Sequence, residues 1–184
     1  MNRRIALRHL ALISGGLALI PSCDFSSDDI LAAYDNLKVT NSQKQLLGQL
    51  SDTIIPSGEL KGALDLEVQD FILVMVNDCM KKEDQELFSQ GLAAFPAYAK
   101  KSAGAKFENL EARQKEDLIQ NGLELEGEDN RAVSYFLNTT KRFTMQGYMA
   151  SEYIQTEIIP YSLIPGRYNG AALISETQKP RING

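Results

Sequence analysis

The sequence predicts an all-α protein: a single compact helical domain of about five helices, closed by an ordered, irregular C-terminal strap. Apolar residues recur at three- and four-residue intervals in successive stretches between residues 41 and 150. No stretch sustains the alternation of apolar and polar residues that marks a half-buried strand. From Thr144 to Gly170 the chain reads TMQGYMASEYIQTEIIPYSLIPGRYNG, and helical spacing fades partway along it. Pro160, Pro165, Gly166 and Gly170 fix or free backbone angles there, while Ile158, Ile159, Leu163, Tyr161 and Tyr168 give it a surface suited to packing. Ordered loops of this kind often carry function, because a scaffold holds them where a partner can reach.

Residues 1–22 have the layout of an export signal: a basic start, a short apolar run from Leu10 to Ile20, and small residues before Cys23. The run is shorter than the ~20 apolar residues a membrane span needs, and Gly15 and Gly16 weaken it further. Arg3 and Arg4, followed by IALR, resemble the twin-arginine export motif, with Ala6 where an aromatic is usual. Ile20-Pro21-Ser22-Cys23 resembles a lipobox, which would make Cys23 a lipidated first residue and a membrane anchor; Pro21 is unusual at its place. The expectation is an exported, periplasmic lipoprotein, with inner and outer membrane left open.

Residues 23–40 read as a polar tether, and residues 41–184 as the domain. Thr40-Asn41-Ser42-Gln43 offers a capping box for a helix that Leu46, Leu47, Leu50 and Ile54 carry to Pro56. After a loop, Leu66–Met80 is the most hydrophobic helix. Val68, Phe71, Ile72, Met75 and Cys79 share one face, and Leu73, Val74 and Val76 lie on its flanks, so it is expected at the centre, buried almost all round. Glu86–Lys101 follows with Phe88, Leu92, Phe95 and Ala99 inward, and with Pro96 expected to kink or split it. Glu111–Leu125 should bury Leu118, Ile119 and Leu123. Asp129 should cap a last helix that runs from Asn130 to about Ala150 and buries Val133, Phe136, Leu137, Thr140 and Tyr148.

Composition narrows the function. The formal charge is -5, and the three basic residues Arg3, Arg4 and Arg8 all precede Cys23, leaving 16 basic against 24 acidic residues beyond it. An acidic body without basic–aromatic clusters argues against nucleic acid as a partner. The one histidine is His9, in the leader, so the body has no imidazole for general-base work, a metal, a haem or a triad. With Cys23 acylated, Cys79 stands alone, which excludes a disulfide framework.

Several short motifs then align in order: the leader, LSDTIIPSG with Asp52 and Pro56, GALDLEVQDFI, FSQGLAAF, KFENLEARQKEDLI, FTMQGYMASE and PGRYNG. Together they resemble the gluconate 2-dehydrogenase subunit 3 family, from the leader to about residue 173. The resemblance implies a non-catalytic small subunit with no cofactor of its own. Its catalytic partner would be an FAD-dependent dehydrogenase of glucose–methanol–choline type acting on sugars or sugar acids, and a cytochrome c subunit would be a further partner. The closing motif maps onto Gly147, Tyr148, Ser151, Glu152, Pro165, Gly166, Arg167, Tyr168 and Gly170 as candidate partner-interface residues. The resemblance implies no catalytic, cofactor-binding or metal-binding residue in this chain. Lipidation at Cys23 departs from the family's habit, since its small subunits are often exported without a lipid. Two other readings stay open: a lipid-anchored helical scaffold with no oxidoreductase partner, and an independent enzyme using Glu152 with Tyr148 or Tyr153.

Overall fold

The computed structural model describes residue 31 and residues 33–159. The described residues form five α-helices: α1 (Asn41–Ile54), α2 (Val68–Cys79), α3 (Lys82–Ala103), α4 (Ala112–Leu123) and α5 (Arg131–Ala150). Short 3₁₀ turns at Phe107–Asn109 and Glu128–Asn130 join the later helices, and a π-helical turn, Ile154–Ile158, follows α5. No strand occurs among the described residues. None of their helices is long and apolar enough to cross a membrane.

The helices begin and end where local chemistry dictates. Thr40 caps α1 in the expected box: the Gln43 N–H donates to the Thr40 hydroxyl at 3.4 Å, and the Thr40 N–H donates to the Gln43 carboxamide at 3.0 Å. A second box opens α4, with Glu111 and Gln114 in the same roles. Gly104 ends α3 in the left-handed conformation, its N–H donating to the Lys100 carbonyl. The cap of α5 is Asn130 rather than the expected Asp129, because the 3₁₀ turn before it carries the chain one residue further.

α5, not α2, is the central helix; all four other helices pack against it. α2 buries the strip Val68, Gln69, Ile72, Leu73, Val76 and Asn77, while Val74 and Cys79 are exposed and Phe71 and Met75 half-buried. Its apolar residues thus spread over more of the circumference than its neighbours cover. Cys79, expected on the inward face, falls outside that strip. α3 runs unbroken through Pro96 instead of splitting there, held on one side by Leu92, Phe95 and Ala99, all fully or almost fully buried. Along α5, Phe136 sits 5.1 Å from the Phe88 ring and 5.8 Å from that of Phe95, and Phe107 closes the stack 5.4 Å from Phe95. These tilted and edge-on pairs are the favoured aromatic geometry.

The segment read as a tether is part of the domain in its second half. Tyr34, Leu37 and Val39 are buried, and the Tyr34 hydroxyl donates to Asp70 of α2 at 2.9 Å. The Asn36 N–H donates to the Asn77 side-chain oxygen, and its carboxamide donates to the Asn77 carbonyl. Three apolar side chains spaced two or three apart were enough to dock an otherwise polar stretch. Burial, followed by the Asp70 contact, pushes the Tyr34 phenol up to about 12.

Candidate interaction surface

The early motif and the closing motif meet at the C-terminal end of α5, through Ser51 and Thr144, 93 residues apart in sequence. Thr144 and Ser51 of α1 share a hydrogen bond at 3.2 Å in the interior. One turn later Gly147 lets Phe71 of α2 approach: a Cβ on Gly147 would stand 2.6 Å from the Phe71 ring and 3.1 Å from Val68. The loop between α1 and α2 then reaches Tyr148, whose hydroxyl donates to the Lys61 carbonyl at 2.8 Å. Partial burial, and secondarily Tyr153, raise the Tyr148 phenol above its ordinary value, so it remains a protonated donor at neutral pH.

That loop is also tied from within. The Asp65 carboxylate accepts from the Ser57 hydroxyl at 2.6 Å and from the Gly62 N–H at 2.9 Å. These two bonds, Ser57's first, hold its carboxyl below the ordinary value. The Lys61 ammonium lies over the Tyr153 ring, 4.7 Å from its centre, which adds a cation–π contact from the turn after α5.

Of the sequence-derived candidates, Gly147 is buried against α2 and is therefore part of the fold's interior. Ser151 stops α5 and starts the next turn: its hydroxyl donates to the Tyr148 carbonyl at 2.7 Å and accepts from the Ile154 N–H. Tyr148 is half-buried and Glu152 exposed, so these two present groups to the surface. Pro165, Gly166, Arg167, Tyr168 and Gly170 lie outside the described residues, as do Arg3, Arg4 and Cys23. Asp52 and Pro56 of the early motif lie at the end of α1 and just beyond it, half-exposed and exposed respectively. The motif reading did not single out Lys61, whose carbonyl and ammonium are both engaged by closing-motif tyrosines. A lone lysine in a short loop, between Leu60 and Gly62, gives no sequence signal of that role.

The surroundings are apolar as well as aromatic. Leu60 and Leu64 on the loop, and Met145 and Met149 on α5, are exposed large hydrophobics. Met145 and Met149 are one helical turn apart on one face and flank Tyr148. Among the described residues no group of three or more His, Cys, Asp or Glu side chains gathers as a metal-binding set.

Such a structure defines a class: an all-α protein whose distant motifs lock one end of a helical bundle. The sequence itself matches the family "Gluconate 2-dehydrogenase subunit 3" over residues 41–166, more than half of the chain. The chain belongs to that family, and so to the subunits of dehydrogenase complexes. Neither a curated protein nor a solved structure matches it.

Proposed function

We propose that this chain is a non-catalytic accessory subunit of an exported, membrane-associated, FAD-dependent sugar or sugar-acid dehydrogenase. Its role is to support the folding, export or stability of a catalytic subunit of the glucose–methanol–choline type. A cytochrome c subunit would be a further partner, and Cys23 would anchor the assembly by lipid on the periplasmic side. FAD would be held by the partner, not by this chain. The family match over residues 41–166 carries the reading. The leader supports the export and anchoring parts, and the confinement of the only histidine to that leader supports an accessory role.

Tyr148 and Glu152 are the described residues through which the closing motif would meet the partner, together with residues 165–170. Tyrosine suits such a place because it offers a broad apolar face with one polar tip. The test is a pull-down of tagged full-length protein from solubilised native membranes, read by mass spectrometry and flavin absorbance. The expected result is a yellow, stoichiometric flavoprotein partner. A colourless preparation containing this chain alone overturns the reading.

A further inference from the structure

The outer face of α5 departs from the rest of the chain in charge and in polarity. Beyond Cys23 there are 24 acidic residues against 16 basic ones, yet the 20 residues of α5 include no acid and three bases, Arg131, Lys141 and Arg142. From Lys141 to Ala150 the exposed positions come in successive pairs, one helical turn apart: Lys141 and Arg142, then Met145 and Gln146, then Met149 and Ala150. They form a stripe ~12 Å long, cationic at one end and apolar at the other. Met145, at 53% exposure, is the most exposed large hydrophobic side chain among the described residues, and Met149 stands at 44%.

The core does not use this stripe. Phe143, Thr144 and Gly147 supply the buried face of the same turns. Neither Lys141 nor Arg142 pairs with an acidic side chain among the described residues; the Arg142 guanidinium lies 4.5 Å from the centre of the Phe143 ring, and Arg142 is exposed. Unbranched, polarizable methionines adapt to the shape of what covers them, which suits them to binding surfaces. We infer that the stripe receives an acidic amphipathic segment of the catalytic subunit. The apolar side chains of that segment rest on Met145 and Met149, and its carboxylates pair with Lys141 and Arg142. The identity of the partner rests on the subunit reading; the face and the chemistry of its ligand rest on α5.

Charge decides among the possible occupants. The chain's own residues 160–184 carry Arg167, Lys179 and Arg181 against Glu176, so they would bring cations to cations. A second copy laid along the same stripe could offer only Glu152, beyond the end of the helix. An anionic lipid surface would meet exposed acids at both ends of α5, Glu126, Glu128 and Asp129 before it and Glu152 after it. Two adjacent cations also fall short of the roughly four to eight of a lipid-binding cluster. A narrow acidic segment of another chain meets the two cations without those acids.

The experiment is the membrane pull-down with full-length variants, compared at equal folded protein. Lys141→Glu with Arg142→Glu should cut recovery of the flavoprotein about tenfold or more, because like charges then face each other. Lys100→Glu with Lys101→Glu makes the same change of charge at exposed positions in the last turn of α3 and should leave recovery unchanged. Benzoylphenylalanine in place of Met145 or Met149 should cross-link, on irradiation, to a flavoprotein peptide in which acids lie within about a helical turn of apolar residues. If the parent protein recovers no flavoprotein, the subunit reading falls and this inference falls with it. Equal recovery from the two charge-reversed variants, high or low, overturns the inference alone and leaves the subunit reading standing. Cross-links only to this chain, or only to lipid, do the same.

Discussion

The two flanks of α5 are built by different means. Its α3 side is dry and aromatic: Phe88, Phe95 and Phe136 are fully buried, and Gly91 of α3 lies so close to α5 that a Cβ there would stand 2.1 Å from the Ala132 carbonyl oxygen. Its α1–α2 side is clasped by polar contacts at a few points. Ser51 meets Thr144, Tyr148 meets the Lys61 carbonyl, and beyond them Tyr34 and Asn36 tie the leading segment to α2. Non-directional burial supplies most folding energy, whereas directional bonds fix one geometry among several of similar energy. Burial on both sides holds the bundle together, with Leu47, Leu50, Ile72, Leu73 and Val76 on the α1–α2 side, and the polar contacts of that side set the shape of the end where both family motifs lie.

The same substitution on each flank gives the sharpest test. Gly91→Ala drives a methyl into backbone, at the Ala132 carbonyl and the Phe136 Cβ, neither of which can rotate away. It should cost about 3 kcal/mol or more. Gly147→Ala meets the Phe71 ring and the Val68 methyl instead, and a half-buried ring can swing aside. About 1 to 2 kcal/mol is expected there. Urea unfolding midpoints of the two variants measure the difference. Equal losses would mean that the Phe71 contact is as unyielding as a backbone contact, and the distinction between the flanks would fall.

The α3 side was largely legible in the sequence, and the other side was not. Phe88, Leu92, Phe95, Val133, Phe136 and Leu137 declare themselves by spacing alone, because a helix that buries one continuous strip must repeat apolar residues every three or four positions. The centre was misplaced for a related reason: α2 has the densest apolar composition, but centrality depends on how many neighbours a helix touches, which composition does not encode. Residues 33–39 dock through Tyr34, Leu37 and Val39, too few to show a period, and the place where they dock is set by Asn36 pairing with Asn77 and Tyr34 with Asp70. At the closing motif, the small residues Thr144 and Gly147 are close-packed against α1 and α2. That Lys61 would be the point gripped by Tyr148 and Tyr153 depends on the path of a loop, which the sequence leaves free.

Both sides should answer to high pH, Tyr135 against Asp84 on the α3 side and, most strongly, Tyr34 against Asp70 on the other. The Tyr34 phenol is held neutral by burial and by Asp70, and its pKa is pushed up to about 12 in the fold, above the 10.0 of an unperturbed tyrosine. Its contribution is fully present below pH ~10 and is lost as pH climbs through the folded value, because the unfolded chain then releases the proton more readily. A stability loss on the order of 2 kcal/mol across that window is expected. Lys44 forms an ion pair with Asp70 at 2.5 Å, so the comparison must be made between variants that keep it. Tyr34→Phe removes the phenol and keeps Lys44, and the alkaline slope of unfolding free energy should be shallower in it than in the parent. Identical slopes would place the alkaline loss elsewhere.

The smallest expected effect bears most on function. Tyr148→Phe deletes one hydrogen bond, to the Lys61 carbonyl at the edge of solvent, and keeps the ring. Stability should fall by about 1 kcal/mol, since the freed carbonyl can take up water. If the closing motif serves only to hold the α1–α2 loop, partner recovery in the membrane pull-down should be unchanged once the variant is compared at equal folded protein. If the motif also presents the partner surface, recovery should fall more than that small loss allows, because a loop released from Tyr148 no longer offers Leu60, Lys61 and Leu64 in one arrangement. Asp65→Asn gives the needed control. It weakens the same loop from within, by reducing the charge that Ser57 and Gly62 donate to, and leaves Tyr148 in place. Equal loss of partner in both variants identifies the shape of the loop as the recognised feature; loss in Tyr148→Phe alone identifies the hydroxyl.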